Sequence, residues 1–143
     1  RVTPGQMDRW ARRFYSWDVC DAACGNLFRY TPFAFDKAIE WSRQRPEFVR
    51  RAGFALMAGL AVKAKQAGDE DFEPFFTAIR EGAVDERNMV KKAVNWALRQ
   101  IGKRNRRLRR RAIAVAEEIR ATDSRPARWI AAGALRELRA IVD

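Results

Sequence analysis

Apolar residues recur at spacings of three and four along almost the whole of the 143-residue chain, and no convincing run of period-two alternation interrupts them. That periodicity gathers apolar side chains on one side of successive helices, so the pattern predicts an all-α protein. Helices are expected near residues 6–15, 16–29, 33–43, 47–67, 70–82, 86–102, 105–121 and 125–142. The punctuation agrees with those breaks. Thr31-Pro32 and Arg45-Pro46 disfavour helix before each proline, Gly68 and Gly82 are expected stops, and Asp123-Ser124 supplies a capping residue ahead of a first-turn Pro126. Connections this short make successive helices antiparallel neighbours.

Three strings stand at related places in this pattern: "FALMAGL" from Phe54, "WALRQIG" from Trp96 and "GALRELR" from Gly133, with offsets of 42 and 37. Each falls in the second helix of a helix pair, which is how HEAT or armadillo units stack into an α-solenoid. An Ala-Leu pair is also an ordinary helical string, so the alignment carries weight only because length, pairing and period agree with it. The expectation is one domain over residues 1–143, and such a fold offers a concave surface. A first residue of Arg instead of Met reads as the start of a piece of a longer chain.

Composition sharpens this picture. Hydrophobic residues make up 48% of the chain, enough to fill a core, while 29 Lys and Arg against 18 Asp and Glu leave a net charge of +11. A surplus of that size favours a polyanionic partner, nucleic acid before membrane, and predicts that the concave surface is basic. No run of about 18 apolar residues could span a bilayer, and the N-terminus lacks the order of a secretory signal. A soluble, intracellular protein is expected. Histidine is absent, which excludes His-dependent nucleophilic or acid–base chemistry. Cys20 and Cys24 share one face of one helix, where disulfide geometry is poor and core packing is the simpler role. A zinc site would need both thiols and two carboxylates at no recognised spacing. Enzymatic chemistry would therefore fall to carboxylates.

The charge is concentrated. From Arg87 to Ala116 there are eleven Lys or Arg residues and no acid, seven of them in "KRNRRLRRR", Lys103 to Arg111. An ordinary solvated helix face mixes both signs, so the unmixed block reads as a footprint for phosphates, DNA or RNA alike. Of the five tryptophans, Trp10, Trp41 and Trp129 are expected to pack between helices. Trp96 differs, because Lys92 and Arg99 lie within one turn of it and Lys103 two turns on. Stacking on a nucleotide and core packing are both open to it. In "SWDVCDAACGNLF", Ser16 to Phe28, Asp18 suits a helix start beside Ser16. Asp21 stands four residues after Trp17, hence on the same face, and in the second turn among apolar neighbours an ionised group is costly unless paired or used.

The strings "SWDVCD", "FVRRAGFALMAGLA", "ERNMVKKAVNWALRQIGKRN" and "ARWIAAGALRELRA", in that order from about Trp10 to Leu138, resemble the HEAT-like repeat DNA alkylation repair family, the AlkD type of DNA glycosylase. The resemblance implies an α-solenoid that binds duplex DNA in a basic groove. It implies removal of cationic alkylated purines, N3-methyladenine and N7-methylguanine, by hydrolysis of the N-glycosidic bond, without metal or cofactor. The family's Trp-x-x-x-Asp element corresponds to Trp17 and Asp21, its arginine to Arg51 with Arg50 as the neighbouring possibility, and its second tryptophan to Trp96 within "KAVNWALR". Catalytic roles then fall to Asp21, Trp17, Trp96 and Arg51, converging on the concave face. DNA contacts fall to Arg50, Lys91, Lys92, Arg99, Lys103, Arg104, Arg106 and Arg107. A monomer, cytoplasmic and associated with the nucleoid when bound to DNA, is expected, with further helix pairs N-terminal to Arg1. Two other classes remain at this point: a non-catalytic HEAT protein that binds damaged or branched DNA, and a scaffold for an acidic protein.

Overall fold

The structure, a computed structural model, describes residues 3–11 and 33–142. Among the described residues it is all-α and without strands, with seven helices: α1 Pro4–Ala11, α2 Ala34–Ser42, α3 Glu47–Lys63, α4 Asp69–Gly82, α5 Asn88–Arg104, α6 Arg106–Arg120 and α7 Arg125–Arg139. The helix expected over 16–29, with Trp17, Asp18, Cys20, Asp21 and Cys24, lies outside the described residues. The remaining expected helices are present, and most of their ends agree within two or three residues.

Two boundary differences have physical causes. Helix α3 stops at Lys63 and not at 67, because the Arg104 guanidinium reaches over from the end of α5. It donates to the carbonyls of Ala61 at 3.0 Å, Ala64 at 2.7 Å and Ala67 at 2.8 Å. Those oxygens lie at the negative end of the helix dipole, so a guanidinium there satisfies orphan acceptors and charge together. Gly68, expected as a stop, instead opens α4. Its N–H donates to Asp71 Oδ2 at 3.0 Å, and the acids Asp69, Glu70 and Asp71 stand in the first turn where the dipole favours them. The cap on α7 is as expected, with Ser124 Oγ accepting from the Ala127 N–H at 3.3 Å.

The helices pack in two rows. Helix α2 lies against α3, α4 against α5 and α6 against α7; α3, α5 and α7 also pack on one another in order, as do α2, α4 and α6. The strings beginning at Phe54, Trp96 and Gly133 thus fall on α3, α5 and α7, the members of one row. Between the rows runs a continuous core in which Phe54, Phe72, Phe75 and Phe76 are fully buried. Phe35 of α2 stacks on Phe75 with ring centroids 5.6 Å apart and meets Phe72 edge-on at 5.4 Å. Trp41 is buried, as its spacing predicted. At the α2–α3 contact the backbones touch: a Cβ on Gly53 would stand 2.4 Å from the Ser42 nitrogen and 2.7 Å from the Ala38 oxygen.

Ion pairs link successive helix pairs at a fixed interval. Arg43–Glu81 (3.1 Å), Glu73–Arg111 (3.0 Å), Arg80–Glu118 (2.7 Å) and Arg99–Glu137 (2.8 Å) each join residues 38 positions apart. Such exposed pairs contribute roughly 0–1 kcal/mol each. One buried Phe contributes about 1.5–3 kcal/mol, so the apolar core holds the rows together and the ion pairs fix their register.

Two substitutions test this packing by urea unfolding. Gly53→Ala is expected to lower stability by about 1–3 kcal/mol, since neither backbone at the contact can yield locally. Arg104→Ala is expected to cost about 2 kcal/mol by leaving charge-assisted acceptors unpaired. A wild-type unfolding midpoint for Gly53→Ala would mean that α2 and α3 are not in backbone contact.

Candidate nucleic-acid interface

Helix α5 brings Lys92, Trp96, Arg99 and Lys103 to one face, because steps of four, three and four residues return to nearly the same angle. Lys92 is exposed and Trp96 is half-buried. The adjoining face of α5 is fastened to α7. Asn95 is buried and donates from Nδ2 to the Ile130 carbonyl at 3.0 Å, while its Oδ1 accepts from Arg99 Nε at 2.8 Å. Arg99 continues to Glu137, which Lys103 also contacts. Asn95 fits against α7 only because residue 133 is glycine: a Cβ there would come 2.9 Å from Nδ2. Burial pushes the Glu137 carboxyl up, but hydrogen bonds from Lys103 and Arg99 outweigh that and hold it below its ordinary value.

Trp129 departs from expectation. It is 46% exposed on α7 and does not pack in the core, with Lys91 Nζ 4.5 Å from its ring centroid. The helix α7 stripe Ile130, Ala134 and Leu138 faces the core, and Trp129 stands beside it on the solvent side. Two surface depressions flank the indole. One, of ≈ 320 Å³, runs along Ala132, Gly133 and Arg136; the other, of ≈ 370 Å³, lies among Lys91, Arg125, Pro126 and Glu86. A sequence signal for this site existed, since Lys91 and Trp129 are 38 residues apart, the interval of the ion pairs.

The other expected site residues are distributed as follows. Trp17 and Asp21 lie outside the described residues, and so does their convergence with Arg51 and Trp96. Arg51 is 8% exposed in α3 and donates to the Met89 carbonyl at 2.6 Å. Met89 lies two turns before Trp96 on α5. Arg50 bonds to the Gln44 carbonyl at 2.7 Å and to Asp85 Oδ2 at 2.7 Å, and Arg104 is committed to the end of α3. Lys91 lies over Trp129, and Arg99 and Lys103 share Glu137. Lys92, Arg106 and Arg107 are exposed.

The basic run is not one surface. Asn105 divides it, accepting from the Leu108 N–H at 2.8 Å as the cap of α6 and donating to Asp69 at 2.8 Å. Arg109 is buried, and Arg111 pairs with Glu73 and lies over Phe76. Arg106, Arg107 and Arg110 stay exposed on α6, in the other row from Trp96. The block is therefore only in part available to a partner, because long, charged side chains also satisfy helix ends and cover aromatic rings.

Residues 4–138 match the family model described as DNA alkylation repair enzyme. The chain belongs to the DNA alkylation repair enzyme family. Membership makes DNA the substrate, which agrees with the cation-bordered tryptophans on α5 and α7. No curated protein and no solved structure matches the chain. In this repair-family chain, no helix among the described residues is long and apolar enough to cross a membrane.

The loop before α5 sets how that helix is presented. Burial pushes the Asp85 carboxyl up, but hydrogen bonds from the Arg87 side chain and backbone, and from Arg50, hold it below its ordinary value. Arg87 also donates to the Arg45 carbonyl at 2.8 Å, tying this loop to the one before α3. Asp85 and Glu137 are both depressed, so the stability they contribute is fully present above the unfolded carboxylate range near pH 4 and is lost as pH falls through their lower folded values. Urea titrations are expected to show a falling midpoint below about pH 4, with a shallower fall in Asp85→Asn. An identical acid profile in that variant would remove Asp85 from the account.

Proposed function

We propose that the protein is a DNA glycosylase that hydrolyses the N-glycosidic bond of cationic alkylated purines, N3-methyladenine and N7-methylguanine, in duplex DNA. The observation that carries this reading is the family match over residues 4–138. The Trp17–Asp21 pair supports it from the sequence, and the partly exposed Trp96, one turn after Lys92 on α5, supports it from the fold. In this reading the two helix rows are those of a HEAT-like α-solenoid. Helices α3, α5 and α7 form its concave, DNA-facing side.

A purine alkylated at N3 or N7 already carries positive charge and leaves without a general acid. The barrier lies in the cation that develops on the sugar. A fixed carboxylate such as Asp21 stabilises that oxocarbenium-like state and orients the attacking water. Trp17 and Trp96 flank the nucleotide and add cation–π contact to the charged base or sugar. Arg51 has little surface to offer a phosphate while bonded to the Met89 carbonyl, so it serves this reaction as a positioning residue at the start of α5. Lys92 and the neighbouring cations hold phosphates. One anion in a basic groove is then no contradiction: the backbone of DNA needs cations and the transition state needs a negative charge.

The test is single-turnover release of free base from DNA carrying N7-methylguanine or N3-methyladenine. Wild type is expected to release base, Asp21→Asn to be slower by about 100-fold or more, and Trp96→Ala by roughly tenfold. Release that ignores Asp21 overturns the assignment of the carboxylate. Salt-dependent DNA binding with no release from the wild type would make the protein a non-catalytic DNA-binding member of the family.

A further inference from the structure

The α5–α7 surface holds a second aromatic site, distinct from Trp96, for which the hydrolysis above has no use. Helix α7 presents Trp129 and, two turns later, Arg136, both exposed, with the small residues Ala132 and Gly133 between them. Gly133 occupies the place in its repeat string that Trp96 holds in "WALRQIG". Where α5 carries an indole, α7 carries no side chain; the Asn95 carboxamide packs against Gly133, and the ≈ 320 Å³ depression opens beside it along Ala132 and Arg136. Its ends are planar π-systems, indole and guanidinium, about 10 Å apart along the helix. On the far side of the indole, Lys91 and Arg125 line the second depression, whose one carboxylate is Glu86. Glu137, at the edge of the first, is already held by Arg99 and Lys103.

We propose that Trp129 and Arg136 bound a slot that stacks one unpaired nucleobase of a bound DNA strand, with Lys91 and Arg125 taking the adjacent phosphate. Every base has a π-face, so an indole beside cations recognises single-stranded nucleotides without regard to sequence. A base paired within a duplex has its faces covered by its neighbours and cannot enter. The slot thus binds a strand that is frayed, gapped or displaced, and adds a single-strand site to the duplex-facing row. The cationic surround selects a polyanion, and the flat aromatic wall selects a nucleic acid over an acidic peptide.

The slot rests on the reading that this face binds DNA, but its test needs no chemistry. Binding of undamaged, fluorescein-labelled oligo-dT and of an undamaged duplex is measured by anisotropy, beside the melting temperature of each variant. Trp129→Ala is expected to weaken oligo-dT binding by roughly tenfold and duplex binding much less, since one base stack is involved. Trp129→Phe is expected to restore most of the loss. Ala132→Leu, which fills the slot and leaves the indole in place, is expected to weaken oligo-dT binding as well. Lys91→Ala is expected to make the salt dependence shallower by about one phosphate contact. Wild-type oligo-dT affinity in Trp129→Ala, or equal losses for single strand and duplex, would overturn the slot whatever the base-release result. Displacement of oligo-dT by poly-glutamate as readily as by unlabelled DNA would overturn it too. Failure of base release with these binding differences intact would overturn the glycosylase reading alone.

Discussion

The row formed by α3, α5 and α7 depends on polar side chains that reach from one helix pair into the next. Arg104 closes the end of α3 from the end of α5, Arg51 bonds from α3 to the first turn of α5, and Asn95 bonds from α5 to the Ile130 carbonyl of α7. An apolar core supplies most of the stabilisation, but apolar contact tolerates sliding. Directional hydrogen bonds do not. The recurrence of the same 38-residue interval in Arg43–Glu81, Glu73–Arg111, Arg80–Glu118 and Arg99–Glu137 shows one register imposed along both rows.

That register also determines what the surface can do. Contacts that hold α5 to its neighbours engage several cations: Arg99 and Lys103 share Glu137 of α7, and Arg104 is turned onto the end of α3. Among the described residues, the cations that remain exposed to a DNA backbone are more dispersed than the continuous basic run suggests. The aromatic groups gain weight accordingly. Trp96 and Trp129 stand on neighbouring helices of one row, each beside lysine, and flat π-surfaces next to cations suit nucleotides better than either feature alone.

The family relation gives these groups a common purpose. In the glycosylase reading proposed above, the protein holds a polyanion while favouring a cation at one sugar. A basic scaffold and a single well-placed carboxylate answer those two needs separately. Asp21 follows Trp17 by four residues in the sequence, and a carboxylate among apolar neighbours needs a partner or a task. Lying outside the described residues, Trp17 and Asp21 owe their place in the proposal to that argument and to the family pattern.

Among the described residues, the sequence by itself determined the helical class, most of the helix ends and the Ser124 cap, because each follows from local periodicity or from the chemistry of one turn. It also showed the three related strings on alternate helices, since repetition is written along the chain. Only the tertiary structure decided which arginines face inward, that Asn105 splits the basic run, and that Trp129 is exposed. Those outcomes turn on partners some 38 residues away. An arginine looks the same in sequence whether its guanidinium meets water, a phosphate or the carbonyls of another helix. Its partner is chosen by the packing of the rows.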